Sequence, residues 1–325
     1  MIATLSDEVY QRGAGLACCL SIAPGLTGPA APRGRPAMSI IEQADYRGST
    51  FSLSRADERA IDVVIDLLRP ARRLLFITGA GISADSGLPT YRGRDGLYSR
   101  DGVCRDGVYR DGLTTPHGLT IEQALSGPML AARPEITWHY LRELERSARG
   151  GVPNRGHRVI AEMESYFDAV WTVTQNVDGL HSRAGSRQLL DVHGDLHDLL
   201  CTQCDYKVTV PDYADLALPP LCPRCQGILR PTVVLYGEQV PEEKLARMWY
   251  EFGMGFDVIF SVGTSSLFEY IAAPVESARA AGIATVEINP ETTAVTSEVE
   301  VKISGRAALV LDLLWERYLV GWPWW

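Results

Sequence analysis

Four cysteines stand in two pairs, Cys201-x2-Cys204 and Cys222-x2-Cys225, separated by a loop of ribbon length. Such thiol pairs supply the soft ligands that hold one zinc ion tetrahedrally. Four thiolates leave no position open for water, so the metal they imply is structural. Disulfides are the alternative, and the metal content of freshly reduced protein separates the two. Upstream, the apolar run Leu74–Ile77 breaks into Gly79-x-Gly81-x-x-Ala84, a spacing that lets backbone approach a pyrophosphate ahead of a helix N-terminus. Glycine suits these positions because a Cβ would block phosphate and turn alike. A third group, Gln175-Asn176-Val177-Asp178, places two amides and a carboxylate after another apolar run, and His193-Gly194 follows. Amides and carboxylates at a strand end can simply cap the next helix. An imidazole, which titrates near neutrality, can instead accept a proton from a hydroxyl without a large pKa shift.

These groups need elements to hold them. Strand-like runs are expected at Leu74–Ile77, Ala169–Thr174, Asp257–Val262 and Ile283–Ile288, each ending in glycine or polar residues. In an open parallel sheet, ligands bind at the carboxyl edge. Gly79, Asn176, Gly263 and Asn289 are therefore expected on one rim, whereas antiparallel strands would scatter them to opposite edges. Helices are expected where Ile61, Val64, Ile65 and Leu68 share a face before Pro70, after Pro134 with Trp138, Leu141 and Leu144 on one face, from about His157 to Ser165, and from about Ala307 to Tyr318.

The chain has 325 residues, 46% hydrophobic and 22% charged, which suffices for one large domain with a satellite. No stretch reads as a membrane span. A net charge of -9 argues against a general nucleic-acid binder and favours peptide or small-molecule partners. Seven cysteines, four of them paired by spacing, fit metal in a reducing, cytoplasmic setting better than a disulfide frame; Cys18, Cys19 and Cys104 stay unassigned. Residues 1–53, crowded with Ala, Gly and Pro between Pro24 and Ala37, read as a disordered appendage, and Met38 is a candidate start. Asp7 and Glu8 argue against reading Leu16–Ala23 as a secretory signal. Between Arg94 and Leu113 an Arg-Asp-Gly unit repeats, which predicts successive turns: a solvent-exposed loop, or a flap over the site. Gly321-Trp-Pro-Trp-Trp325 reads as an aromatic end.

The run Gly79-Ala-Gly-Ile-Ser-Ala-Asp-Ser-Gly-Leu-Pro-Thr-Tyr-Arg-Gly93 resembles the NAD-binding signature of the sirtuins, the NAD-dependent protein lysine deacylases. Thr174-Gln-Asn-Val-Asp-Gly-Leu-His181 with Asp191-Val-His-Gly194 resembles their catalytic core. The resemblance spans roughly Ser54 to Leu319. It implies that Gly79, Ala80, Gly81, Ser83, Ala84, Asp85, Thr90, Tyr91 and Arg92 belong to the cofactor site. It further implies that Gln175 and Asn176 contact the nicotinamide ribose, Asp178 the carboxamide, Gly263, Thr264 and Ser265 phosphate and ribose, and Asn289 the adenosine ribose. By the same resemblance His193 is the general base, with Asn176 beside it in the catalytic pair, and His181 supports the site. Val234, Tyr236, Gly237 and Glu238 fall where the family pairs its substrate peptide as an added strand. Tyr236 replaces a usual Phe, and the stretch after Ser266 is one residue longer than usual, which shifts the expected helix start. A family subset that removes acidic acyl groups carries Tyr and Arg three residues apart; Trp138 and Leu141 align there, which leans towards acetyl or longer apolar groups.

The expectation is therefore an α/β protein with a Rossmann-type parallel sheet (about 54–93, 151–194 and 236–319). A helical and cofactor-loop module (about 94–150), a zinc ribbon (about 195–235) and an aromatic tail (320–325) complete it. NAD is the expected co-substrate, one zinc ion the structural metal, and acyl-lysine proteins or peptides the partners. The expected products are nicotinamide, O-acyl-ADP-ribose and free lysine. Three other readings stay open. A dehydrogenase would need an acid after its second strand, and Asp101 sits among turn repeats. ADP-ribosyl transfer or NAD hydrolysis could use the same site, and a non-catalytic NAD sensor would share the binding motifs.

Overall fold

The computed structural model describes residues 53–90 and 118–321. Residues 1–52 of the expected appendage with Met38, the Arg-Asp-Gly repeats with Cys104, the site candidates Tyr91 and Arg92, and the aromatic residues 322–325 lie outside the described residues, whereas Leu53, assigned to the appendage, packs against the core.

Ser54 caps helix α1 (Arg55–Leu68) by accepting from the Asp57 N–H, and Ile61, Val64, Ile65 and Leu68 turn inward as their spacing requires. Strand β1 (Arg73–Thr78) follows and runs at Gly79 into the single turn α2 (Ala80–Ser83). After α3 (Ile121–Ala124) and α4 (Gly127–Ala132), Pro134 opens α5 (Pro134–Ala148), where its missing N–H costs no bond. Asn154 caps α6 (Arg155–Met163), which begins two residues earlier than its apolar pattern suggests because the cap precedes the periodic face. Then come β2 (Ala169–Thr174), α7 (Leu180–Ala184), β3 (Leu189–Asp191), β4 (Asp198–Cys201), β5 (Lys207–Thr209) and β6 (Leu229–Pro231). The chain closes with α8 (Glu242–Gly253), β7 (Val258–Val262), α9 (Glu269–Ala280), β8 (Ala284–Ile288), β9 (Val301–Ile303) and α10 (Ala307–Val320).

The larger sheet runs β3-β2-β1-β7-β8-β9, every pair parallel. Along β1 side chains alternate faces. Leu74 and Phe76 join one core with α1, α6 and α10, while Leu75 and Ile77 join another with Met248 of α8 and with Ile271 and Val275 of α9. Phe76 and Phe260 stack across β1 and β7 at 4.5 Å. A parallel sheet buried on both faces has apolar strands throughout, which is why these runs are continuous in the sequence. The strand order reverses between β1 and β7, so a crevice opens at their carboxyl ends.

The smaller sheet, β5-β4-β6, is antiparallel. It shares one apolar core with the helices before β2: Trp138 and Leu141 of α5 pack with Leu199, Tyr213 and Leu229, and Trp138 Nε1 donates to the Leu229 carbonyl at 3.0 Å. The helical segment and the ribbon, read separately from the sequence, thus have a common interior.

Candidate active site

Strands β1, β2, β7 and β8 deliver Gly79, Gln175-Asn176, Gly263-Thr264 and Asn289 to one rim, as parallel order requires. The turns interlock. Gly79 N–H donates to the Val262 carbonyl at 3.1 Å and Gly81 N–H to the Gly263 carbonyl at 2.8 Å. A Cβ on Gly81 would lie 2.7 Å from Gly263 Cα, and one on Gly263 would lie 2.5 Å from Ile82 N. Glycine is therefore demanded by turn-on-turn packing before any phosphate is considered.

Side chains close the network. Gln175 Nε2 donates to Thr264 Oγ1 at 2.7 Å, and Asn289 Nδ2 donates to the Thr264 carbonyl at 3.1 Å. Asn176 Nδ2 reaches the Gly79 carbonyl and Ser83 Oγ, both at 3.1 Å. Ser83 Oγ donates in turn to Asp178 Oδ2 at 2.7 Å. Burial raises the Asp178 carboxyl above its ordinary value, although the Leu180 N–H and the Ser83 hydroxyl pull against that rise. Ala80, Ser83, Asn176 and Asp178 line a small open cleft together with Leu144 of α5 and Leu196.

His193 stands just beyond the end of β3. Its Nδ1 lies 3.0 Å from the Gln175 carbonyl, which can only accept, so Nδ1 carries the proton and Nε2 presents its lone pair. Burial is the main influence and holds the imidazole below its ordinary pKa; the Gln175 carbonyl opposes this and Lys244 adds to it. The His193 carbonyl accepts from the Val234 N–H at 2.9 Å. Gly194 has φ +80°, and a Cβ there would sit 2.2 Å from the Thr232 carbonyl oxygen, so the turn can lean on the ribbon's return segment only as glycine.

Other sequence candidates have structural partners. Asp85 pairs with Arg306 at 2.5 Å and accepts from the Ala308 N–H at 3.1 Å, at the start of α10 and not in the cleft lining. The Ser265 carbonyl accepts from the Ala294 N–H at 3.3 Å, Ala84 begins a short 3-10 turn, and Thr90 is half-buried. Glu238 forms a fork with Arg230 at 2.6 and 2.8 Å and accepts from the Leu235 N–H. Burial alone would raise its carboxyl; Arg230 and that N–H outweigh it and hold it low. Tyr236 donates its N–H to the Leu125 carbonyl and accepts from the Gly127 N–H, so its backbone already pairs with the α3–α4 turn. Gly237 turns at φ +78°.

The four thiols Cys201, Cys204, Cys222 and Cys225 converge, their sulfur atoms all within 4.8 Å of one another. Contacts of 3.4, 3.5 and 3.6 Å are too long for a disulfide and close to the S···S edge of about 3.8 Å that zinc–sulfur bonds of about 2.3 Å imply. The Gln203 and Arg224 N–H groups point at the Cys201 and Cys222 sulfur atoms, and although burial opposes it, hydrogen bonding lowers the Cys201 thiol to about 7. The donor set fits one closed zinc site.

Apart from His181, which was expected to support the site, sequence reading missed the polar layer around Ser83 and Thr78. Asn154 Nδ2 donates to the Ile82 carbonyl at 2.7 Å and Ser86 Oγ at 2.9 Å, while His157 Nε2 faces Ser83 Oγ at 3.5 Å. His181 Nε2 meets Thr78 Oγ1 at 3.0 Å, and the two imidazoles touch edge to face at 4.8 Å. Burial lowers both, His181 to about 3. The available signal was the cap spacing Asn154-x-x-His157, which marks a helix start without saying what the cap's amide also holds.

Residues 79–269 match the model of the Sir2 family. This chain belongs to the Sir2 family. It is 44% identical over 257 residues to NAD-dependent protein deacylase 2 of Pseudomonas aeruginosa, covering 78% of this chain and 94% of that one. It is equally identical over 247 residues to the protein of the same name from Pseudomonas syringae pv. tomato, covering 75% and 94%. Among solved structures, a Sir2 homolog in complex with NAD superposes with a TM-score of 0.68 at 32% identity, covering 80% of this chain and 94% of that one. The Sir2 match starts at Gly79 and takes in every rim cluster except Asn289.

Proposed function

We propose that this chain is an NAD-dependent protein lysine deacylase whose cleft and His193 form the active site. The sirtuin resemblance, the family membership and the relatives' names support this reading. The observation that carries it is the His193–Gln175 bond, which leaves Nε2 basic and ties the ring to Gln175, the neighbour of the rim residue Asn176. NAD, when bound, supplies the electrophilic ribose carbon and the nicotinamide leaving group. The interlocked Gly81–Gly263 turns, with Thr264, Ser265 and Asn289, hold its phosphates and adenosine ribose. Gln175 and Asn176 orient the nicotinamide ribose, and Asp178, anchored by Ser83, takes the carboxamide. With NAD bound, the acyl-lysine oxygen would displace nicotinamide at the ribose carbon, His193 Nε2 would take the proton of the ribose hydroxyl that attacks the acyl carbon, and one water would complete the release of free lysine. The Gln175 carbonyl stabilises the imidazolium that results. The thiol cluster holds one structural zinc ion, and the protein works in the cytoplasm, where those thiols stay reduced.

Within this reading the acyl group is acetyl or a longer apolar chain. Trp138 and Leu141 are fully buried in the ribbon core and Arg142 is exposed, so α5 offers no Tyr–Arg pair to a second carboxylate. The substrate strand pairs by backbone with the segment that carries Val234, Tyr236, Gly237 and Glu238, with Tyr236 committed to its own loop. Mass analysis after incubation with NAD and acetyl-lysine or succinyl-lysine peptide tests all of this. Nicotinamide, O-acetyl-ADP-ribose and free lysine in the acetyl reaction support it. NAD loss that does not depend on peptide would favour hydrolysis or ADP-ribosyl transfer.

A further inference from the structure

The phenol of Tyr270, on the first turn of α9, hydrogen-bonds His193 Nε2. Because Nδ1 is already donating to Gln175, Nε2 has only a lone pair, and the phenol must be the donor. Burial pushes the Tyr270 hydroxyl up to about 12, so it keeps its proton across the working range. That lone pair is the one the proposed chemistry needs. It cannot hold a phenol and take a ribose proton at once.

The tyrosine is held there by its own segment. Phe268 stacks on Tyr270 at 5.7 Å and meets the His193 ring edge to face at 5.7 Å. Ser266 turns at φ +52°, a left-handed conformation uncommon for serine, and Thr264 Oγ1 accepts from the Ser266 N–H at 3.1 Å. The same stretch therefore carries the Gly263–Ser265 rim and, one strained turn later, the two rings that enclose His193. It is also the stretch that is one residue longer than the family pattern.

We infer that Tyr270 is a positioning residue that latches the general base: its phenol keeps His193 in the Nδ1–H tautomer with Nε2 covered, and it withdraws when substrates fill the site. This rests on His193 being the base. Of the charged groups around the imidazole, Lys244 of α8 lies close enough to disfavour its protonation and is itself held by Asp191 at 2.9 Å, so the phenol is not the only influence on its titration.

The test is the pH dependence of Tyr270→Phe with NAD and acetyl-lysine peptide. The latch exists in the free enzyme and is gone in the ternary complex. Removing the donor should therefore raise the acidic limb of kcat/KM by about half to one pH unit, as expected of one hydrogen bond to the neutral form, and leave the limb of kcat in place. At alkaline pH the variant's kcat/KM should exceed the parent's by roughly threefold, because no phenol competes for the base. Equal losses of kcat and kcat/KM at every pH, with both limbs unmoved, would overturn the latch. Ring-nitrogen NMR of His193 in the parent protein gives an answer independent of the variant. The Nε2 signal should shift when NAD and a non-reacting peptide analogue are added, and an unchanged signal refutes withdrawal. His193→Ala separates the two readings, since turnover surviving there would defeat the base assignment, whereas an unmoved Tyr270→Phe profile defeats only the latch.

Discussion

His193 shows how one backbone carbonyl can assign a role. The Gln175 oxygen fixes which ring nitrogen holds the proton, and burial keeps the ring neutral. His193→Ala is expected to abolish deacylation while leaving NAD affinity within a few-fold, as read by calorimetric titration. The acidic limb of kcat/KM in the parent should lie below the ordinary histidine value of 6.5, because burial disfavours the imidazolium. The buried pair behind the cleft makes a separate, thermodynamic prediction. His157 and His181 are neutral when folded and protonate near 6.5 when unfolded. Below that pH the unfolded chain binds more protons, so stability is complete above about 6.5 and falls as pH drops, for His181 by up to about 1.4 kcal/mol per unit until about 3, with His157 acting in the same direction. Asp178, raised by burial, has the opposite sign. Urea unfolding between pH 7 and 5 should therefore show a shallower loss in His181→Asn than in the parent, which isolates the histidine share. The helix expected from about His157 left out the cap at Asn154, and that amide's reach to Ile82 has no local signal, since 72 residues separate them.

At the scale of elements, the strands were readable because parallel strands covered on both faces must be apolar throughout, so their limits in the sequence nearly match those in the structure. Ala169–Thr174 coincides with β2, and β7 and β8 each start one residue inside the expected run. Helix starts were less legible. α9 begins at Glu269, three residues after the left-handed turn at Ser266. Two turns carry predictions. Gly194→Ala places a Cβ against the Thr232 carbonyl at positive φ, and is expected to cost about 1–3 kcal/mol in chemical denaturation and to displace His193, lowering kcat more than NAD affinity. For the ribbon, freshly reduced protein should contain one zinc per chain by mass spectrometry under native conditions. Cys201→Ser should lose that metal and lower the melting temperature, because Cys201, Cys222 and Leu229 belong to the same core as Trp138.

In the molecule as a whole, the crevice lies where the strand order reverses, with the Sir2-type rim on one side and the α5–ribbon core on the other. No helix among the described residues is long and apolar enough to cross a membrane. The sequence by itself determined four of the six parallel strands, the shared rim, the thiol set and the family, because each is written in short runs whose spacing is tied to local geometry or to a long motif; the three-residue strands β3 and β9 are too short to carry such a run. Tertiary structure alone decided that Gly81 and Gly263 need each other, that Glu238 and Asp85 are held by Arg230 and Arg306, and that the helical segment and the ribbon share an interior. It also decided that Tyr270 arrives at His193 from 77 residues away. Those contacts follow from sheet register and from which helix packs on which face, and no local pattern encodes the meeting of two side chains so distant along the chain.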